Sequence, residues 1–286
     1  MIVVKLIGGL GNQMFQYAFG RYLSIQHNTN LYCDIADLQN KNLGHIHRNF
    51  SLDGFNLQAA IYNLNDQKSG KEIFFKKLFS SPKNKLKTIS EKRLHFDKEI
   101  GNAVDNIYLN GYWQSPLYFE KIEDIIRKDF TFSIPLSKGA EQFLLKIKAS
   151  NSVSIHVRRG DYVNNPETLS YHGICDISYY KKAIEIIKDR VSTPTFFIFT
   201  DDPEWVKQNF SLSDDIILVS NASFSQFDDL QLMSACKHAI IANSSFSWWG
   251  AWLISNPAKT VIAPLKWLQN DSIKTDDLFP KTWMRI

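Results

Sequence analysis

The chain has 286 residues, a net charge of +4 and a hydrophobic fraction of 44%, which is sufficient for two domains of ordinary size with apolar cores. No apolar run reaches the ~18 residues of a membrane span, and no cleavable signal precedes the apolar run that begins at Ile2, so we expect a cytoplasmic protein. The three cysteines, Cys33, Cys175 and Cys236, lack the spacing of a disulfide framework or a zinc site, and we expect buried free thiols.

The amino terminus predicts a strand, a glycine turn and a helix. An apolar run from Ile2 is followed by Gly8-Gly9-Leu10-Gly11-Asn12-Gln13 and then by apolar residues at helical spacing, which is typical of the start of a Rossmann-like unit. The glycines do not fit the G-x-G-x-x-G dinucleotide fingerprint, and Asp34 only ambiguously supplies its acidic residue. We therefore expect a tight turn that lets Asn12 and Gln13 face a crevice, rather than a bound NAD.

A polar, Lys-rich stretch interrupts the first half of the chain between about 67 and 93. Residues 71–93 hold eight Lys or Arg against Glu72 and Glu91, a local charge of +6. Ile73, Phe74, Phe75, Leu78 and Phe79 lie among them. Two interpretations stay open: a solvated helix packed on the first domain, and peripheral contact with an anionic membrane at the inner face of the plasma membrane. No nucleic acid is expected, because stacking and phosphate-reading features are not otherwise clustered.

The second half shows the clearer alternation of strands and helices. Ile134-Pro135-Leu136-Ser137 interrupts the pattern, and we expect one domain over 1–136 and a second over 137–286. The predicted elements are a helix at 139–149, a strand at 153–157, a helix at 178–190, strands at 195–199 and 216–219, a helix at 226–236, a strand at 239–242 and a helix at 246–254.

Three of these strands end in polar motifs. One ends in His156-Val157-Arg158-Arg159-Gly160-Asp161-Tyr162, one in Thr200-Asp201-Asp202, and one in Asn243-Ser244-Ser245-Phe246 before a helix. Arginine suits bidentate recognition of phosphate, and a helix N-terminus favours an anion. Because ligands of open α/β sheets bind at the carboxyl ends of the strands, we expect the three motifs to form one phosphate-binding site.

Each motif also has a purely structural interpretation. Arg158 or Arg159 would then form a surface ion pair with Asp161, and Asp201 or Asp202 would only cap the helix that starts near Pro203. The convergence of three motifs at three strand ends favours the binding site over these separate roles.

The four motifs together resemble the bacterial α-1,2-fucosyltransferases of glycosyltransferase family 11. The resemblance runs from Ile2 to about Pro264 and depends mainly on the His156–Tyr162 and Asn243–Trp249 segments. It implies a GT-B fold, an α/β architecture of two Rossmann-like domains facing a central cleft. It also implies an inverting transfer of L-fucose from GDP-β-L-fucose, with no cofactor and no metal, to the 2-hydroxyl of a terminal β-galactoside in a glycan such as an O-antigen unit.

The resemblance also implies roles for single residues. Arg158 contacts the β-phosphate, Arg159 is a second clamp, Asp161 orients the guanidinium groups, and Ser244 and Ser245 hold pyrophosphate oxygens. From chemistry alone, Asp201 or Asp202 suits the N1–H and N2–H2 donors of guanine. The remaining predicted contacts to the nucleotide are Gly9, Gly11, Thr200, Asn243 and Phe246.

The general base is left open. His156, Asp161, Asp34 and Asp37 are candidates, and Asn12 stands where a carboxylate base would fit. A loose, SN1-like path in which the leaving phosphate takes the proton is the alternative. The predicted catalytic set is therefore Arg158, Asn12 and His156.

Three other functions remain in competition. One is a transferase that uses another sugar nucleotide, and another is a nucleotide-binding oxidoreductase with pyrophosphate on the 8–13 loop. The third is a non-catalytic carbohydrate-binding protein that uses Trp113, Trp248 and Trp249 as sugar platforms.

Overall fold

The computed structural model describes residues 1–40, 48–62 and 86–286. The chain forms two compact units, and each is described by itself. Unit 1 is Met1–Thr131 with Asp276–Leu278, and unit 2 is Phe132–Thr275 with Phe279–Ile286. Most of the basic segment 71–93 lies outside the described residues, so its helix and its membrane contact stay predictions.

Unit 1 is built on a parallel sheet whose strand order is β3-β2-β1-β5-β4. The strands are β1 (Ile2–Lys5), β2 (Leu31–Asp34), β3 (Ala60–Tyr62), β4 (Lys87–Ser90) and β5 (Ile107–Asn110). The helices are α1 (Leu10–Gln26), α2 (Ala36–Gln39), α3 (Lys98–Gly101) and α4 (Glu123–Asp129), with 3₁₀ turns at Pro116–Tyr118, Glu120–Ile122 and Asp276–Leu278.

The predicted strand, turn and helix at the amino terminus are confirmed. β1 is fully apolar at Ile2, Val3 and Val4, all with no exposed surface, as expected for a central parallel strand covered on both faces. Gly8 has φ +76°, a left-handed conformation that glycine adopts without strain. The chain therefore turns sharply from β1 into α1.

Unit 2 contains a six-stranded parallel sheet in the order β11-β10-β9-β6-β7-β8. Its strands are β6 (Asn151–Val157), β7 (Pro194–Thr200), β8 (Ile216–Leu218), β9 (His238–Ile240), β10 (Val261–Ala263) and β11 (Met284–Arg285). Its helices are α5 (Lys138–Ala149), α6 (Gly160–Asn164), α7 (Pro166–His172), α8 (Ile177–Arg190), α9 (Pro203–Asn209), α10 (Gln226–Ala235) and α11 (Ser245–Leu253).

Alternate residues of the long strands of unit 2 enter two cores on opposite faces of the sheet. Val153, Ile155 and Ile198 pack with α8 in one core. Phe197 and Phe199 pack with α5 and α10 in the other. This division follows from the two-residue period of a strand and explains why β6 and β7 read as continuous apolar runs.

The strand order of unit 2 reverses at β6. The chain adds β7 and β8 on one side of β6 and later returns to add β9, β10 and β11 on the other. The carboxyl ends of β6 and β9 therefore flank a topological switch point, which is where open α/β sheets bind ligands.

All three cysteines are buried and unbonded. Among the helices of the described ranges, none has both the length and the apolar character that crossing a bilayer requires.

Candidate functional site

The three polar motifs of unit 2 follow three neighbouring strands of one parallel sheet. β6 pairs with β7 on one side and with β9 on the other, and the motifs follow the carboxyl ends of these strands. The sheet thus brings the His156–Arg159, Thr200–Asp202 and Asn243–Phe246 segments to one edge, as the sequence predicts.

Two arginine–aspartate pairs form the centre of this edge. Arg158 Nη1 lies 2.6 Å from Asp201 Oδ2, and Arg159 Nε lies 3.2 Å from Asp202 Oδ2. Asp201 Oδ1 also accepts the backbone N–H of Arg159 at 2.8 Å. The acids that hold the arginines are therefore Asp201 and Asp202 from the neighbouring strand. The side chain of Asp161, predicted for this role, lies outside the described part of the structure.

Gly160 permits this pairing by leaving space for Asp201. A Cβ atom at Gly160 would lie 2.7 Å from Asp201 Oδ2, closer than non-bonded contacts allow. The absence of a side chain at Gly160 therefore makes room for the neighbouring carboxylate.

Aromatic rings support both guanidinium groups. Arg159 lies over the ring of Trp205 at 4.3 Å from its centroid, and Arg158 lies over Tyr162 at 5.4 Å. Tyr162 in turn stacks on His172. Ion pairing and ring stacking together restrict each arginine to one orientation, which is the preorganisation that electrostatic catalysis requires.

Asp202 has a second role at the start of α9. Its Oδ1 accepts the N–H of Trp205 at 3.1 Å, and its own N–H donates to Thr200 Oγ1 at 2.9 Å. The structural interpretation of Asp202 as a helix cap is therefore confirmed. Both acids bind an arginine, and the guanine contact of Asp201 or Asp202 stays a prediction.

Asp229, on α10, is a candidate that the sequence analysis missed. Its Oδ2 accepts the hydroxyl proton of Ser220 at 2.8 Å, and Ser220 Oγ accepts the N–H of Thr200 at 3.0 Å. Its Oδ1 is buried with no hydrogen-bond partner among the described residues, and burial raises the pKa of the Asp229 carboxyl to about 7. A carboxylate that has a buried, unused acceptor oxygen beside a strand end is typical of a binding site.

In the sequence, Asp229 is not distinguishable from an ordinary residue of a helix start. Asp228 and Asp229 both lie in the first turn of α10, where acids favour the helix dipole. Asp228 does have that role, since it forms a capping box with Ser225. The unpaired Oδ1 of Asp229 and the raised pKa of its carboxyl distinguish the two acids.

The N-terminus of α11 is only partly available to a ligand. The N–H of Ser244 donates to Ala242 O at 2.8 Å, and Ser247 Oγ donates to Ala242 O and Ser244 O. Ser245 and Phe246 are half-buried, and first-turn N–H groups lack intrahelical partners. Of the predicted motif, the turn that begins at Ser245 is thus the part that is placed to meet an anion.

The side chain of Asn243 points into the protein. Its Nδ2 donates to His172 O at 2.8 Å and also contacts Gly173 O and Trp267 O. The side chain is 3% exposed. The structure thus gives this amide the role of joining loops beneath the site, in place of the predicted contact to the nucleotide.

His156 is buried beside the arginines. Burial lowers its pKa to about 4, with the charge of Arg158 acting in the same direction and Asp201 acting against it. Its ring lies 5.6 Å from that of Phe246, and its Nδ1 is without a hydrogen-bond partner in the described ranges. The imidazole is therefore neutral at physiological pH.

In unit 1, amide side chains at the glycine turn bond to backbone. Gln13 has no exposed surface, donates to Gly8 O and Asn49 O, and accepts the N–H of Ser51. The prediction that Gln13 faces a crevice is therefore wrong, because its amide fastens the turn to a neighbouring loop. Asn12 Oδ1 accepts from Gln114 Nε2 at 2.8 Å.

The two acids proposed as bases in unit 1 are also engaged. Asp34 accepts from the Tyr108 hydroxyl at 2.7 Å and from the N–H of Ala36. Asp37 pairs with Lys5 at 2.7 Å. At the glycine turn itself, Gly11 is buried, whereas a Cβ at Gly9 would meet nothing within 4 Å.

The three tryptophans considered as sugar platforms are buried. Trp113, Trp248 and Trp249 have no exposed surface and pack in aromatic clusters. They are core residues, so the carbohydrate-binding alternative loses the side chains on which it depended. Across residues 1–40, 48–62 and 86–286, no group of three His, Cys, Asp or Glu is arranged to hold a metal ion.

The chain has two Rossmann-like units with parallel sheets. One of them presents preorganised arginines and a helix N-terminus at a switch point. These are features of a GT-B glycosyltransferase. The family model described as Glycosyl transferase family 11 matches residues 1–286. The chain therefore belongs to glycosyl transferase family 11.

Individual relatives agree with this assignment. The chain is 38% identical to an alpha-1,2-colitosyltransferase of Escherichia coli, over 100% of this chain and 99% of the relative. It is 31% identical to the O-antigen biosynthesis glycosyltransferase WbnK of Escherichia coli, over 93% and 95%. A galactoside 2-alpha-L-fucosyltransferase, SEC1 of Bos taurus, is 29% identical over 51% of this chain and 42% of its own length.

The fold agrees with a solved structure as well. A crystal structure of NodZ alpha-1,6-fucosyltransferase soaked with GDP-fucose aligns with a TM-score of 0.50 at 16% identity, over 90% of this chain and 96% of that chain. At this identity the likeness establishes the GT-B fold alone.

Proposed function

We propose that the protein transfers a 6-deoxy sugar from a GDP-linked donor, with inversion, to the 2-hydroxyl of a terminal β-galactoside. L-Fucose is the first candidate sugar. The observation that carries the proposal is the preorganised pair Arg158 and Arg159 at the switch point of unit 2. The names of the bovine and Escherichia coli relatives support the acceptor linkage and a glycan such as an O-antigen unit.

A specific observation favours a second donor. The relative that aligns over the full chain at 38% identity is named a colitosyltransferase. Colitose is L-fucose without the 3-hydroxyl, so a site for one sugar accommodates the other unless it hydrogen-bonds that hydroxyl. A site that does so rejects the deoxy analogue strongly, because its polar group is left unpaired.

The arginines stabilise the leaving group. Breaking the bond between the sugar C1 and the diphosphate develops negative charge on the departing nucleotide. Arg158 pairs with Asp201 through one Nη, and its planar guanidinium group has the geometry that suits a phosphate. Arg159 is fixed on Trp205 and Asp202. Because these charges are already positioned, little reorganisation is required as the bond breaks.

Phosphate contacts from the helix N-terminus complete this part of the site. We propose that the first-turn N–H groups of α11 and the Ser245 side chain bind the pyrophosphate, with Ser244 acting as the N-cap residue. With these contacts and the arginines providing the positive field, the proposed reaction needs no metal ion.

We propose that Asp229, instead of Asp201 or Asp202, reads guanine. Its buried Oδ1 accepts no hydrogen bond among the described residues, and a hydrogen-bond chain through Ser220 joins it to Thr200 at the end of β7. A carboxylate accepts the two guanine donors, which adenine lacks on that edge. The site then selects for guanine because another base would leave the acid unpaired.

The hydrogen bonds and ion pairs of the acidic residues bear on which group takes the proton of the acceptor hydroxyl. Asp34, Asp37, Asp201 and Asp202 all have cationic or hydrogen-bonding partners. We propose the loose path in which the departing diphosphate takes the proton, and Asp161, whose side chain lies outside the described part of the structure, stays the alternative base. His156 is neutral and buried, and we assign it to support of the Arg158 environment. Asn12 stays a predicted catalytic residue.

A donor screen tests the proposal. The purified protein is incubated with lactose and GDP-fucose, GDP-colitose, GDP-mannose or UDP-galactose, and the product linkage and anomeric configuration are determined by NMR. We expect an α-1,2-linked product from GDP-fucose or GDP-colitose. Transfer from UDP-galactose alone, or no nucleotide release from any GDP-sugar, would contradict the proposal.

A further inference from the structure

A cavity of about 260 Å³ lies within unit 1, separate from the nucleotide site of unit 2. It is lined by Glu91, Lys92, Arg93, His95, Asp97, Ile100 and Tyr118. Its volume is just below the ~300–1,000 Å³ of typical small-molecule sites, which suits one sugar ring better than a nucleotide.

The cavity lies at the carboxyl ends of the unit 1 strands, where open α/β sheets bind ligands. Glu91 directly follows β4 and continues its pairing by donating its N–H to Asn110 O at 2.9 Å. Since β1, β5 and β4 are parallel neighbours, their carboxyl ends lie at one edge. The cavity is therefore at the edge of the sheet that also carries the glycine turn after β1.

Hydrogen bonds join the cavity wall to that turn. The Glu91 carboxylate accepts the N–H groups of Tyr112 and Trp113 at 2.7 and 3.0 Å. The next residue, Gln114, donates to Asn12 at 2.8 Å. The hydrogen-bonded loop segment from Tyr112 to Gln114 thus sets the position of Asn12 relative to a ligand that contacts Glu91.

The loop between them has a strained backbone. Trp113 has φ +57° although it is a bulky aromatic residue with no exposed surface. Such a conformation is unfavourable for a bulky residue and persists at functional positions where surrounding contacts enforce it. Here the two bonds to Glu91 and the burial of the indole enforce it.

The side chains that line the cavity suit a neutral polyhydroxylated ligand. Lys92 and Arg93 balance Glu91 and Asp97 in formal charge, so the cavity does not select an anion. Within the described ranges, the side chains of Lys92, Arg93 and His95 form no ion pair or hydrogen bond, which leaves their donors available. Burial raises the pKa of the Glu91 carboxyl, and Ile100 and Tyr118 add apolar surface.

We propose that this cavity binds a neutral sugar ring of the acceptor glycan, with Arg93 and His95 donating to its hydroxyls and Glu91 accepting. The inference rests on the proposed transfer to a glycan and adds the residues that recognise it. Alternating donors and acceptors around an apolar wall match the alternating hydroxyls and C–H face of a pyranose.

Steady-state kinetics of Arg93→Met tests this assignment. Arg93 is exposed, so its loss does not empty a core, and methionine keeps much of the side-chain volume. We expect the KM for lactose to rise about tenfold or more, on the scale of one lost charge-assisted hydrogen bond, with little change in the KM for the donor. Lys92→Met and His95→Gln should shift the same constant in the same direction.

Arg127→Met is the matched control. Arg127 also lies in unit 1, where it pairs with Glu123 one turn away on α4, and it is not among the residues that line the cavity, so the variant removes the same charge away from the cavity. Equal KM values for lactose in Arg93→Met and Arg127→Met would overturn the assignment. A parallel loss of GDP binding in Arg93→Met would also overturn it, since the residue would then support the whole fold.

A direct binding measurement separates this inference from the proposed function. GDP binding is followed by titration calorimetry, and methyl β-galactoside binding by saturation-transfer NMR, on the same full-length protein. If GDP does not bind, the proposed function fails. A sugar signal that Arg93→Met abolishes and Arg127→Met retains would still support the cavity, and no sugar signal in the unaltered protein would overturn it.

Discussion

The carboxyl edge of the unit 2 sheet and that of the unit 1 sheet use similar topologies for different chemistry. In unit 2, Arg158 and Arg159 follow β6 and pair with acids that follow β7. In unit 1, Gln13 and Gln16 follow β1 and bond to backbone, with Gln16 accepting from Ile7 N–H and donating to Gly111 O. A parallel sheet fixes where a ligand binds, whereas the side chains at its edge decide whether that ligand is a diphosphate or a neutral sugar.

Replacing Arg158 by Lys is expected to have the largest effect. Lysine keeps the charge but loses the planar fork that pairs with Asp201 and stacks over Tyr162. We expect turnover to fall by roughly a hundredfold or more, on the scale of one lost preorganised donor. Single-turnover kinetics at saturating donor measure it, and Arg127→Lys in unit 1 is the control. Near-normal turnover would remove Arg158 from the leaving-group role.

Gly160→Ala should disturb the Arg158–Asp201 ion pair indirectly, by displacing Asp201. The added Cβ would lie 2.7 Å from Asp201 Oδ2 and must displace the carboxylate that orients Arg158. We expect kcat/KM for the donor to fall by roughly ten- to a hundredfold, as small misplacements at an active site do. An unchanged kcat/KM would show that the ion pair does not preorganise Arg158.

Gly9→Ala makes the corresponding change in unit 1. The new methyl group meets no protein atom within 4 Å, so the melting temperature should stay the same. A fall in turnover at constant stability would identify Gly9 as a place where a ligand approaches the backbone. Full activity would contradict the predicted contact at this turn.

The pH dependence of GDP binding tests Asp229. Its pKa of about 7 means that the carboxyl gains its proton as the pH falls below 7, and a protonated acid cannot accept both guanine donors. We expect GDP affinity to fall about tenfold per pH unit well below pH 7, and Asp229→Asn to weaken GDP binding and abolish that dependence. Titrations of GDP and ADP from about pH 5.5 to 8.5 measure this.

The raised pKa of Asp229 also predicts that the free energy of unfolding changes with pH in the direction opposite to the affinity for GDP. The folded state holds the Asp229 proton up to about pH 7, whereas an unfolded Asp loses it near pH 4. The stability that this proton contributes is therefore present at low pH and lost as the pH rises through 7. At about pH 8, Asp229→Asn should raise the melting temperature while it weakens GDP binding, a combination that a merely structural acid would not give.

Chelation is expected to have the smallest effect. Because arginines and a helix N-terminus supply the positive field in the proposed mechanism, excess EDTA should leave initial rates unchanged. Loss of activity that Mg²⁺ or Mn²⁺ restores would show that a metal ion shares the charge with the arginines of unit 2.

The sequence predicts β6, β7, β8 and β9 of unit 2 because each is an apolar run, and three of them end in polar motifs, but it does not predict the short strands β10 and β11. It predicts β4 poorly, since Lys87-Thr88-Ile89-Ser90 is mostly exposed and continues a basic segment. The parallel arrangement of the strands was predictable as well, because it follows from alternating strands and helices, whereas the order of the strands in each sheet comes from the structure alone.

The sequence does not specify which side chains of the site contact one another. The separation of Arg158 from Asp201 is 43 residues, and nothing local distinguishes Asp201 from Asp161 as its partner. Asn243 and Gln13 look like ligand contacts in both motifs, yet each amide bonds to backbone carbonyls inside the protein. Whether a polar side chain faces a ligand or a loop depends on tertiary packing, which residue type and spacing do not specify.

The return of Asp276–Leu278 to unit 1 limits how this enzyme can be recombined. Ser115 Oγ donates to Asp277 O at 2.7 Å, and the N–H of Phe96 donates to the Asp277 carboxylate, so a late part of the chain completes an early unit before Phe279–Ile286 rejoins unit 2. A chimera joined once near residue 131 would combine one parent's unit 1 with the other parent's three-residue insert. Exchange of a complete unit between relatives therefore requires three crossover points, near residues 131, 275 and 278, and a single-crossover library should yield mainly unstable hybrids.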